Sequence, residues 1–336
     1  MSTSTRLTVI RYSALLAAVV FWFAAAAVAA AAPLRISILT YGSVRADPVA
    51  GFREGMRKLG RVEGEAVVYD VRDAGQDRSQ LAPLAAEIIA AKPAVAIAAG
   101  GIEADALKAA SAGTTVPVVF LAVASSVNRG LVASMQHSGN NLTGVDTSDT
   151  ELTAKRLWFI RKMLPDATTI VIPHIATIGA SVQTMAVARS AAPALKLGIT
   201  AMEGADQNDM VEKSAAFPWD GVDAIYIGMC APVWQIEKEV FFPISLARKI
   251  PIMGVNQGDL SRGAMAAYAC SRFDTGKQAA RLVDKILKGA LPAEIPVETP
   301  IRLEFVINRW VVDRLGITLP SKVWRLADRV VDIPVE

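Results

Sequence analysis

The chain has 336 residues, enough by ordinary scaling for two domains that each bury a core without a metal or disulfide staple. Hydrophobic residues make up 52% and aromatics only 6%, an alanine- and valine-rich balance that suits packed helices and buried parallel strands better than an aromatic binding surface. The formal charge is a modest +3 and no run of Lys and Arg is interleaved with aromatics, which excludes a dedicated nucleic-acid surface.

Residues 1–32 read as a secretory signal peptide. Arg6 and Arg11 precede the apolar run YSALLAAVVFWFAAAAVAAAA, which ends in overlapping Ala-x-Ala sites. The run approaches the length of about 20 residues that spans a bilayer. It dissolves into small residues, however, and has no charged stop-transfer flank. No Cys lies near its end, so anchoring through a lipidated N-terminal Cys is excluded. The expected location of the mature chain is the periplasm.

The mature chain alternates strands and helices. Leu34–Thr40 reads as a strand, then a turn at Tyr41, Gly42 and Ser43, then an amphipathic helix over 46–60 with Phe52, Met56 and Leu59 on one face. Strands are predicted over 66–75, 93–101 and 116–123, with helices over 76–92, 101–111 and 127–137. The segment GNNLTGVDTSDTELTAKRLWFI (139–160) is a polar hinge, after which the rhythm restarts. Helices are expected over 155–167, 180–195, 206–217 and near 234–249, and strands over 168–174, 197–203, 223–229 and 250–256. A strand over 264–270, a helix over 274–290, an extended stretch over 297–308 and a short tail containing LGITLP complete the chain. This spacing implies an α/β fold of two doubly wound parallel sheets.

Catalytic equipment is sparse. The two histidines, His137 and His174, have no Cys or second His beside them, so neither metal nor nucleophilic chemistry finds its ligands. His137 reads as a surface residue after a helix, where a cation complements the dipole. No G-x-G-x-x-G follows a strand, the TGKQ fragment at 275–278 is not a complete Walker A motif, and there is no G-x-S-x-G elbow. The chain is expected not to be an enzyme and to need no cofactor or metal. Cys230 and Cys270 leave a disulfide and two buried thiols equally open.

Binding remains. In open parallel sheets ligands sit beyond the carboxyl ends of the strands, where loops and helix N-termini offer free N–H groups. The residues expected there are Tyr41, Gly42, Ser43, Gly100, Gly101, Ala124, Ser125, Ser126, His174, Met229, Cys230, Asn256, Gln257 and Tyr268. Within the hinge, Asp146 and Thr147 are candidates for the cleft floor, and Ser148–Glu151 for capping the next helix.

Three stretches carry a resemblance to a known family: 52–101, beginning FREGMRKLG; 116–172, from VPVVFLAV through GNNLTGVD to TTIVI; and 279–320, with KILKGALPAEIPVE, VIN and LGITLP. The chain resembles the solute-binding components of ATP-binding-cassette transporters, in the branch that includes tryptophan- and tyrosine-binding proteins. The resemblance implies the type I periplasmic binding protein fold: two Rossmann-like lobes joined by three crossing strands. These are expected near Leu142–Asp146, Ala267–Ser271 and Val297–Phe305, with lobe 1 at 33–143 plus 270–299 and lobe 2 at 144–269 plus 300–336.

It also implies a monomer that closes around a small solute and delivers it to an ABC permease in the inner membrane, with a solute sensor presenting ligand to a receptor as the alternative. A periplasmic enzyme on the same fold is a weaker alternative. A transcriptional regulator of this fold would need an N-terminal helix-turn-helix, which is missing from the sequence. Relatives usually carry Gly-Thr, Asp-Pro and an Asp where this chain has Gly100-Gly101, Ser125-Ser126 and Cys230. Three polar groups of the relatives are thus missing, and the solute is expected to be neutral or anionic, bound through backbone N–H groups and hydroxyls, instead of a standard α-amino acid, since an unpaired buried ammonium is costly.

Overall fold

The computed structural model describes residues 32–335, so the leader expected over 1–32 lies outside the described residues apart from Ala32. Two sheets organise the chain. The first contains β1 (Leu34–Thr40), β2 (Val67–Asp73), β3 (Val95–Ala98), β4 (Val118–Val123) and β5 (Leu142–Asp146) in the order β2-β1-β3-β4-β5, all parallel. Its helices are α1 (Ala46–Lys58), α2 (Leu81–Ala90) and α3 (Gly101–Ala110). β3 and most of β4 are buried on both faces, which is why they read as unbroken apolar runs.

The second sheet is built from β6 (Thr169–Ile175), β7 (Gly198–Gly204), β8 (Ala224–Tyr226), β9 (Ile252–Gly254), β10 (Ala266–Ala269), β11 (Glu304–Asn308) and β12 (Arg329–Val331), in the order β12-β11-β10-β9-β8-β6-β7. Only β10 and β11 pair antiparallel among its recorded neighbours. Its helices are α4 (Thr153–Met163), α5 (Gly179–Ala191), α6 (Gln207–Ala216), α7 (Ala231–Gln235) and α8 (Phe242–Arg248).

The chain passes between the sheets three times. It leaves the first after β5, which ends at Asp146. It returns after β10 through α9 (Arg272–Leu287), and leaves again through residues 297–303 into β11. α9 closes the first core: its Ala279, Ala280, Leu282 and Val283 pack with Ile36, Phe52 and Met56. α1 and α9 touch backbone to backbone, because a Cβ on Gly276 would sit 2.0 Å from the Pro48 carbonyl oxygen and one on Gly51 1.8 Å from that of Phe273. The first and third crossings run side by side, with Asp146 N–H donating to Glu298 O (2.8 Å) and Glu298 N–H to Gly144 O (3.0 Å).

Several expectations need correction. Residues 127–137 form turns, not a helix, so His137 follows no helix and stands exposed in a turn whose Ser134 N–H donates to its carbonyl. Leu59 is 41% exposed because α1 ends at Lys58, leaving Phe52 and Met56 as its buried face. The helix near 234–249 is broken into α7, a π-helical turn (Glu237–Phe241) and α8. The tail is also more ordered than its sequence suggested. It forms α10 (Arg309–Leu315), α11 (Ser321–Leu326) and the edge strand β12.

Candidate functional site

In each sheet the strand order reverses at one place, and a crevice opens there beyond the carboxyl ends. In the first sheet the switch lies between β1 and β3, bringing Tyr41–Arg45 beside Gly100. In the second it lies between β6 and β8, bringing His174 and Ser181 beside Gly228–Cys230.

The wall formed by the first sheet carries two ion-paired arginines at its centre. α3 starts at Gly101 with no side-chain cap, so its first N–H groups, at the positive end of the helix dipole, have no side-chain partner. Two guanidinium groups flank it. Arg45 lies so close over Gly100 that a Cβ there would meet its Cζ at 2.4 Å, and Arg129 lies over Gly101 with the corresponding distance 3.1 Å. The Gly-Gly pair thus makes room for two arginines. Arg45 Nε donates to the buried Glu103 at 2.8 Å, and Arg129 pairs with Asp105. The Arg129 Nε is buried with no partner among the described residues.

Tyr41 and Gly42 frame one edge of this wall: the Tyr41 hydroxyl donates to Gln76 O at 2.5 Å, and Gly42 takes a left-handed turn (φ 86°) that presents the exposed Ser43. Beyond β4, Ala124 and Ser125 follow, Ser125 with a left-handed φ of 58°. That turn is held by Asp146, whose carboxylate accepts from Ser125 N–H (3.1 Å), Ser126 N–H (2.6 Å), Ser126 Oγ (2.5 Å) and Ser148 N–H (2.8 Å). These bonds occupy Asp146 in shaping the loop. Thr147 is buried likewise, with its hydroxyl 2.7 Å from Asp149 Oδ2.

The capping expected of Ser148–Glu151 is not what the structure places there. The residue preceding α4 is Leu152, with no side-chain cap, and Ser148 (φ 49°) instead turns the chain. Asp149 is buried between Arg156 and Arg272. Glu151 turns into the space between the sheets, where it accepts from Ser125 Oγ at 3.2 Å, Thr150 Oγ1 at 2.8 Å and Gln183 Nε2 at 3.0 Å. Ser125 lies in the loop after β4 of the first sheet and Gln183 in α5, which follows β6 of the second, so this carboxylate links the two sides.

A model of the ABC transporter substrate binding protein family matches residues 36–331. The chain belongs to that family. It is 25% identical over 260 residues to a tyrosine-binding protein of Clostridioides difficile (strain R20291), covering 77% of this chain and 73% of that protein. Among solved structures it is similar to an ABC domain in complex with L-Trp from Streptococcus pneumonia (TM-score 0.80, 21% identity, 89% of this chain and 100% of that one). It is equally similar to a conserved domain protein from Vibrio cholerae (TM-score 0.80, 22% identity, 88% and 99%). The type I periplasmic binding protein fold follows.

On the second wall of this substrate-binding protein, His174 is the penultimate residue of β6 and is buried, with Nδ1 2.9 Å from Ser181 Oγ. Cys230 is buried beside the same serine, and burial pushes its thiol up. Both cysteines are free, so the disulfide alternative is excluded, and burial pushes the Cys270 thiol up to about 11. Asn256, after β9, accepts from Arg272 Nη2 at 2.8 Å, and its neighbour Gln257 donates to Glu304 at 2.9 Å.

Tyr268 stands apart from the strand ends: it lies within β10, its carbonyl accepts from Arg156 Nε at 2.9 Å, and its ring packs on Phe159 with centroids 4.9 Å apart. Reading the sequence missed Arg45, Arg129, Glu151 and Gln183. Only Glu151 had a legible signal, and its place in a capping pattern hid it.

Proposed function

We propose that this chain is the extracytoplasmic solute-binding component of an ABC uptake system, acting by binding and not by catalysis. Its two lobes close on a small solute and present it to a permease in the inner membrane. The lobes are centred on the two sheets, with residues 1–32 serving as the secretory leader that brings a monomeric protein to the periplasm. The observation that carries this reading is the bridge Ser125–Glu151–Gln183 between the carboxyl ends of the two sheets. A solute bound there touches both walls, and closure is stabilised by its differential contacts with the closed form.

The cleft chemistry favours a solute of neutral or negative net charge. An acid group suits the uncapped N-terminus of α3 with Arg45 and Arg129, and a hydrogen-bond donor suits Glu151. We assign Gly101, Ser125 and His174 to the same space, with Tyr41, Ser43 and Asn256 at its edges, while the buried Gly100 and Cys230 support its walls. The relatives' tyrosine and L-Trp are net-neutral zwitterions with both kinds of group. Glu151 supplies the acceptor whose absence argued against an α-amino acid, so that exclusion is withdrawn.

Native mass spectrometry of the protein purified from its own cells tests the reading. A retained small solute is expected, and Glu151→Ala should lose it while the melting temperature of the solute-free protein stays unchanged. The reading fails if no solute is retained and calorimetric titration with amino acids and small organic acids gives no heat.

A further inference from the structure

A groove of about 410 Å³ lies away from the cleft, between the C-terminal end of α1, the first half of α9 and the third crossing. This is within the range of roughly 300–1,000 Å³ that holds small organic ligands. Its walls are built, not frayed. Gln278 of α9 donates to Glu298 Oε2 (2.7 Å) and Thr299 O (2.8 Å) and accepts from Ile301 N–H (3.2 Å), which pins the crossing strand along the helix.

The lining combines two chemistries. Leu59 and Ile301 offer apolar surface, and Ile301 is 78% exposed, the most exposed large hydrophobic residue among those described. Around them stand four cations, Lys58, Lys277, Arg281 and Arg302, against one lining carboxylate, Asp274. Each cation has an acidic neighbour: Lys58 with Glu54 (3.4 Å), Lys277 with Asp274 (3.1 Å), Arg281 with Glu298 (2.9 Å) and Arg302 with Glu304 (3.0 Å). The Lys58, Lys277 and Arg281 pairs are each about half exposed or more on one side and worth only about 0–1 kcal/mol, so a ligand anion can compete with them, whereas Arg302 is itself exposed but meets the buried Glu304.

We propose that this groove is a second binding site, for a small amphipathic organic anion such as an aryl or alkyl carboxylate or sulfonate. The apolar body rests on Leu59 and Ile301 and the acid group sits among Lys58, Arg281 and Arg302. The long alkyl stems of these cations cover part of the apolar body while their heads meet the charge.

The probe is 8-anilinonaphthalene-1-sulfonate, titrated into the mature chain and followed by its fluorescence. One saturable site is expected, weakened by about tenfold or more in Ile301→Asp and in the double variant Lys58→Glu with Arg281→Glu. The cleft variant Glu151→Ala should bind the probe within about twofold of the parent, because the two sites share no contacts. Matching thermal unfolding profiles establish that the surface variants fold. Absence of saturable binding, equal affinity in all the variants, or loss in Glu151→Ala each overturns the proposal. None of these outcomes depends on whether the cleft retains a solute.

Discussion

Asp149 Oδ2 lies 2.7 Å from Arg272 Nη2, and its Oδ1 lies 2.8 Å from Arg156 Nη2. Asp149 stands on the first crossing and Arg272 immediately after the second, so one carboxylate ties two of the three connections between the sheets. Burial pushes its carboxyl up, but the Arg272 and Arg156 guanidiniums outweigh burial and hold it below the usual carboxylate range. Arg156 is wholly buried and also donates to the carbonyls of Asp149, Tyr268 and Val255, with no second carboxylate paired to it among the described residues. Asp149→Ala leaves that charge without a counterion and should cost about 3–5 kcal/mol, measured by urea unfolding at neutral pH. A loss below about 1 kcal/mol would show that the carbonyls alone satisfy the arginine.

The strand and helix rhythm made the two sheets legible, because buried parallel strands such as Val95–Ala98 and Val118–Val123 announce themselves as apolar runs between helical periods. What stayed hidden depended on contacts distant in sequence. Asp149 looked like a cap because its position before an apolar helix fits the local pattern, and its partner Arg272 is far along the chain. Arg45 reaches Glu103, and Glu151 reaches Gln183, across separations that no periodicity encodes. The false helix at 127–137 failed for a local reason: Asn128, Gly130 and the Asp146-bound turn at Ser125–Ser126 favour turns over a continuous ladder.

The contact between α1 and α9 gives a second prediction. A methyl group on Gly276 would meet backbone, the Pro48 carbonyl oxygen and the Phe52 nitrogen, which no rotamer change can relieve. Gly276→Ala gains up to about 1 kcal/mol of helix propensity. Overpacking costs roughly 1–3 kcal/mol or more, and here it forces two helices apart, so the net effect should be destabilising. Gly179→Ala is the control, since Gly179 opens α5 with no atom near its would-be Cβ and no left-handed φ. Thermal unfolding should show a lower melting temperature for Gly276→Ala and an unchanged or higher one for Gly179→Ala. Equal values for the two variants would mean that the helices separate without cost.

Glu237, in the π-helical turn, provides a pH signature. It is buried, its Oε2 is 3.1 Å from Arg262 Nε, and its Oε1 has no partner among the described residues. Burial pushes its carboxyl well above the ordinary 4.5, and the charge of nearby Asp259, which also pairs with Arg262, pushes it further the same way. The folded chain therefore holds this proton at pH values where the unfolded chain has released it. Stability contributed by the protonated group is present below the unfolded value and declines as pH rises above it. Glu237→Gln mimics the protonated acid and should remove that decline. Parent and variant should be equally stable near pH 4, and the variant more stable near pH 8 by on the order of 1–3 kcal/mol, measured by urea unfolding across the range. If the two proteins keep the same slope, or the parent gains on the variant as pH rises, Glu237 is ionised in its buried site and Arg262 suffices to hold it there.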